Sequence, residues 1–126
     1  MKLWIDDVRP APDGYVWCKS VDEAIRYIIQ SEKTVDIYMD KGVEAFQNRQ
    51  YKCRNNCYRN ARSWAVDLID IDHDAGDYAN DGGDYIKLLD WLEATGRNYP
   101  IHIHSMNPVG VQNMRAIIEK NGWTEV

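Results

Sequence analysis

No apolar run in the 126 residues approaches the roughly 20 that a membrane-spanning helix needs. The opening stretch Met1-Lys2-Leu3-Trp4-Ile5-Asp6 runs into acids instead of the apolar core of a secretory signal. These absences predict a cytoplasmic protein with no membrane partner. Cysteine is scarce and odd in number (Cys18, Cys53, Cys57), which argues against a disulfide framework and suits a reducing compartment. Cys53 and Cys57 are four apart, but there is no second ligand pair to make a metal motif. Internal repeats and low-complexity tracts are also lacking. Positive charge is in short supply overall, with 15 Lys and Arg against 20 Asp and Glu. That balance speaks against general nucleic-acid binding, yet the distribution is uneven. Lys41 to Arg62 holds Lys41, Arg49, Lys52, Arg54, Arg59 and Arg62 against one acid, Glu44, whereas Ser63 to Glu93 holds nine acids against Lys87 alone. One region of such a chain can hold cations while another steers an anionic ligand.

The chain is long enough for one domain, residues 1–126, and 44% hydrophobic residues suffice for an ordinary core. Lys2 to Asp7 reads as a strand running into a loop rich in proline and glycine, and Tyr15 to Lys19 as a second. Ser20-Val21-Asp22-Glu23 is a capping box opening a helix expected to end near Glu32. Val66 to Asp72 alternates as a strand, Asp84 to Ala94 as a helix stopped by Thr95-Gly96, and Pro100 to His104 as another strand. Asn107-Pro108 caps a last helix that closes at Gly122. Between them, an insertion at about 33–65 breaks the pattern, with Val35 to Met39 a candidate strand and Glu44 to Trp64 a basic, aromatic candidate helix. Alternating strands and helices imply an α/β fold with a parallel, three-layer sheet, whose ligands bind beyond the carboxyl ends of the strands.

Those ends carry the chemistry. Asp6-Asp7 and Asp72-His73-Asp74 would converge if their strands are neighbours, and crowded carboxylates need a divalent cation such as Mg2+, a basic partner or a shared proton. Asp6, Asp7 and Asp72 are the candidate metal ligands. All three histidines, His73, His102 and His104, lie at or near the same ends, where imidazole can move a proton near neutral pH. His102 reads as a satisfied core residue; His104, nearer the mouth, and His73 are the acid-base candidates, with Asp72 beside them. Ser105 and Asn107 lead into a helix N-terminus suited to a phosphate, although Asn107 also caps that helix. Arg9 at the first loop, and Arg54 and Arg59 in the insertion, are the candidate anion contacts, with Tyr51, Tyr58 and Trp64 available for base stacking.

Leu3-Trp4-Ile5-Asp6-Asp7-Val8-Arg9-Pro10, Ile71-Asp72-His73-Asp74 and Ile101-His102-Ile103-His104-Ser105-Met106-Asn107-Pro108-Val109-Gly110 resemble the cyclic-phosphate processing receiver-like family, a derivative of the response-regulator receiver. The resemblance implies a truncated, flavodoxin-like receiver fold with an insertion after the first helix. By position it implies that Asp6 and Asp7 hold magnesium, that Asp72 stands where receivers accept phosphate, and that Ser105 supplies the hydroxyl after the fourth strand. Receivers also carry a lysine at the end of a fifth strand, for which Trp123-Thr124-Glu125-Val126 leaves little room. His73 and His104 are additions that fit acid-base phosphoester chemistry better than a phosphorelay. Three functions follow as expectations: hydrolysis of a cyclic phosphate on a nucleotide or RNA end; sequestration without turnover of a cyclic or ADP-ribose-like nucleotide signal, as a phage anti-defence protein does; or a degenerate receiver serving as a protein-interaction module.

Overall fold

A computed structural model of the chain describes residues 1–48 and 65–126, with side chains described outside 35–64. Four short parallel strands, β1 (Lys2–Ile5), β2 (Tyr15–Cys18), β3 (Leu68–Ile71) and β4 (Ile101–Ile103), form one sheet in the order β2-β1-β3-β4. Among the described residues three α-helices accompany them: α1 (Val21–Asn48), α2 (Ile86–Ala94) and α3 (Pro108–Asn121). Glu125 bridges in parallel to Ile101 beside β4, so the last residues occupy the fifth position of a receiver-like order.

Strand side chains alternate between the faces. Leu3, Ile5, Cys18, Ile69, Ile71 and Ile101 point to one side, where they are sealed against Val21, Ala24 and Ile28 of α1, Leu88, Leu89 and Leu92 of α2, and Met114 and Ile118 of α3. Each such burial contributes roughly 1.5–3 kcal/mol, so this layer holds the fold and leaves the other face free for polar groups. Burial pushes the Cys18 thiol up to about 12, which makes it an inert part of the core. The opposite face carries Lys2, Trp4, Asp70 and His102, and none of the described helices packs on it. The reason is topological. Right-handed crossovers from β2 to β3 and from β3 to β4 run in the same direction across the sheet, so their helices fall on the same side. In a doubly wound sheet a helix between β1 and β2 would cover the other side; here residues 6–14 are a loop.

The capping box forms: Glu23 N–H donates to Ser20 Oγ at 3.0 Å, while the Glu23 carboxylate reaches back to the amide of Lys19 at 3.1 Å. The helix it opens does not end near Glu32. No proline or glycine occurs between Val21 and Lys41, so nothing stops propagation, and Val35 to Met39 belong to α1 instead of a strand. Of the basic helix expected over Glu44 to Trp64, residues 44–48 are the end of α1 and the rest lies outside the described residues. No described helix is long and apolar enough to cross a membrane.

Candidate functional site

The strands end together. Asp6 N–H donates to Cys18 O at 3.2 Å, Asp72 N–H to Ile5 O at 2.9 Å and His104 N–H to Ile71 O at 3.0 Å, so the sheet ladder continues one residue past each strand. Asp6, Asp72 and His104 thereby stand in line on adjacent strands at the carboxyl edge. The chain leaves β1 toward β2 on one side and enters β3 on the other, so the cluster sits at the topological switch point of an open parallel sheet.

Asp6 is 1% exposed, and its carboxylate takes part in three hydrogen bonds. Val8 and Arg9 donate backbone amides to its Oδ1 at 2.9 and 2.8 Å, and His104 Nε2 lies 2.9 Å from its Oδ2. Burial alone would raise its pKa; the two amides and His104 together outweigh that and hold it below the ordinary value. The other nitrogen of His104, Nδ1, lies 2.7 Å from Asp70 Oδ1, and its ring stacks on Trp4 with centroids 3.9 Å apart and planes 3° from parallel. An ionised carboxylate only accepts, so both contacts are satisfied by an imidazolium that donates from each nitrogen. His104 is thus clamped between two carboxylates and a tryptophan, with neither nitrogen open to a ligand. Both ring nitrogens of the residue expected to pass protons to a substrate are thus engaged by carboxylates within the protein.

Asp7, Asp72 and Asp6 offer carboxylate oxygens that all lie within 4.8 Å of one another. Burial raises the Asp7 pKa, and the charges of Asp6, Asp72 and Asp74 raise it further. Among the described residues no side-chain cation pairs with Asp7 or Asp72. A carboxylate has about four lone-pair sites, and Asp6 has committed three, so Asp7 and Asp72 are the freer ligands.

His73 is built differently from His104. Its Nδ1 lies 2.8 Å from Asp74 Oδ1, and its amide donates to Asp72 Oδ1 at 2.8 Å. Nε2 has no hydrogen-bond partner among the described residues and is not sealed from solvent. A carboxylate on Nδ1 fixes the tautomer that leaves Nε2 as a base. The ring lies against the first turn of α3: a Cβ on Gly110 would collide with His73 Cγ. Likewise a Cβ on Gly76, whose φ is +54°, would meet Asp7 Oδ2, so two glycines shape the site by what they lack.

The remaining candidates sit around this cluster. Arg9 Nη1 donates to the His104 carbonyl at 3.3 Å on the exposed rim, tying the β1–β2 loop to the β4–α3 loop. Ser105 Oγ accepts from Asn107 N–H at 3.1 Å, and Asn107 Oδ1 accepts from Gly110 N–H at 3.0 Å, so both serve the turn into α3. His102 is exposed instead of buried in a core, because its strand face is uncovered; its Nδ1 meets Val126 O at 2.7 Å. Arg54, Arg59, Cys53 and Cys57 lie outside the described residues. Sequence reasoning missed Trp4 and Gly110, and it placed Asp74 among the crowded acids without its pairing to His73. Only Gly110 carried a local signal, a glycine in the first turn of a helix that needs no positive φ.

Alanine favours a helix over glycine by about 1 kcal/mol. At position 110 we expect the opposite: Gly110→Ala should destabilise by roughly 1–3 kcal/mol through overpacking and shift the His73 ring resonances. Urea unfolding and proton NMR read both effects, and a stabilised variant with unmoved His73 would contradict the close approach.

A parallel sheet in receiver order, with an acidic cluster at the ends of β1 and β3, defines a receiver-like domain. Residues 1–55 and 49–120 match the cyclic-phosphate processing receiver domain, and the chain belongs to that family. No curated protein and no solved structure matches it.

Proposed function

We propose that the domain opens a cyclic phosphate on a nucleotide or RNA end by hydrolysis, with His73 as the proton carrier. The observation that carries this reading is the Asp74–His73 pair, whose Nε2 has no partner among the described residues and which follows directly on the strand-end Asp72. In ring opening, water forms a new bond to phosphorus, one ester P–O bond breaks, and the proton lost by water must reach the departing sugar oxygen. His73 Nε2 accepts that proton and returns it, while Asp74 stabilises the imidazolium in between. Arg9, on the rim, meets the phosphate's charge.

Asp7 and Asp72, with one remaining site on Asp6, are hard oxygen donors of the kind that hold magnesium or manganese. The mutual repulsion that raises Asp7 is what such an ion relieves. When bound, it would neutralise negative charge on phosphate oxygens. Millimolar Mg2+ or Mn2+ is expected to raise the unfolding temperature of the wild type by mass action, and Asp72→Asn to remove most of that rise. An equal rise in both proteins would place the ion elsewhere.

Product formation from 2′,3′-cyclic nucleotides and from cyclic dinucleotides, with and without chelator, tests the function. Hydrolysis supports the reading. Tight binding with intact ligand recovered would replace it with sequestration, and neither product nor binding would leave a protein-interaction module.

A further inference from the structure

Five large apolar side chains are exposed among the described residues: Val8, Tyr27, Met106, Val109 and Val126. Three of them, Val8 at 73%, Met106 at 80% and Val109 at 66%, belong to the two loops after β1 and β4, which end at the acid cluster, and to the first turn of α3. Single exposed apolar residues are ordinary; several on the segments that flank one polar cluster are the kind of feature that marks a ligand-binding edge. They are also held in place. Val8 N–H is bound to Asp6 Oδ1, Met106 lies inside the turn closed by the Asn107-to-Ser105 bond, and Val109 follows the capped Pro108 on the first turn of α3. The Arg9–His104 bond fastens one loop to the other. Exposed side chains on pinned backbone lose less freedom when a ligand covers them.

We infer that Val8, Met106 and Val109 form an apolar lip that seats the base of a nucleotide whose phosphate lies at the acid cluster. The inference rests on the proposed phosphate chemistry and specifies its substrate class: a base-bearing ester instead of a bare sugar phosphate. Three side chains are few beside the roughly 20–30 residues a side of a stable protein interface. A thioether packs well against an aromatic ring, and the adjacent Arg9 guanidinium is of the kind that stacks on bases.

The test compares 2′,3′-cyclic AMP with glycerol 1,2-cyclic phosphate, which carries the same cyclic ester without a base, by isothermal titration in the presence of Mg2+. Wild type should bind the nucleotide about tenfold more tightly, within the span of stacking on a side-chain platform. Met106→Ser with Val109→Ser, both at exposed positions where folding is little affected, should remove that advantage and leave glycerol cyclic phosphate unchanged. Equal affinity of wild type for the two ligands, or a double variant that keeps its preference, overturns the lip while the phosphate reading stands. A wild type that binds neither ligand overturns the phosphate reading and the lip with it.

Discussion

His73→Ala is expected to lower turnover of a cyclic phosphate about 100- to 10,000-fold, the usual contribution of a positioned acid-base group, while ligand affinity changes little. The selectivity comes from geometry. His73 is pinned by Asp74 on one nitrogen and by the bare backbone of Gly110 against its ring, so its second nitrogen is held in one direction. Asp74→Asn should give a smaller loss, because the amide can still hydrogen-bond Nδ1 but no longer stabilises the imidazolium. Single-turnover measurements at saturating substrate separate the chemical step from binding. Unchanged turnover in His73→Ala would remove this histidine from the mechanism. His104→Ala offers the contrast: it leaves Asp6 and Asp70 facing each other without their shared cation, so its primary effect should appear in unfolding experiments.

The difference between these two histidines shows where sequence reading stops. Strand alternation from Lys2 to Ile5 and from Leu68 to Ile71, with acids at each end, made the parallel sheet and the converging carboxylates legible, and β1 and β3 are indeed hydrogen-bonded neighbours. Those features depend on a period of two and on the chirality of crossovers, both local or generic rules. The clamp on His104 depends on Asp70 reaching across from β3 and on Trp4 from β1, residues separated by tens of positions, and no spacing announces it. By proximity to the mouth His104 looked the better catalyst; in space it is the better-occupied group. The length of α1 was misjudged for a simpler reason. An end near Glu32 has no breaker to enforce it before Gly42, and α1 runs on to Asn48.

Asp6→Ala is expected to cost about 3–5 kcal/mol of stability, the range for removing one partner of a buried charge pair. The carboxylate is 1% exposed and binds two loop amides and His104; alanine leaves all of these donors unsatisfied and leaves the imidazolium with Asp70 alone. Asp6→Asn should be milder. The Asn oxygen can still accept from Val8 and Arg9, and its amide can donate to a neutral His104 that keeps its proton on Nδ1 for Asp70. The wild type also carries a pH signature of known sign. Asp6 titrates lower when folded than its ordinary 3.8, so it binds fewer protons in the folded state than in the unfolded one near that pH. Its contribution is therefore fully present above the unfolded value and is lost as pH falls through the folded value. Urea unfolding at neutral pH and across the acid range should show the wild type losing stability below about pH 4, where an ordinary carboxyl begins to protonate. Asp6→Asn should begin lower and decline less over the same interval. A variant whose acid profile runs parallel to the wild type would show that Asp6 is not the carboxylate that the loop amides and His104 hold ionised.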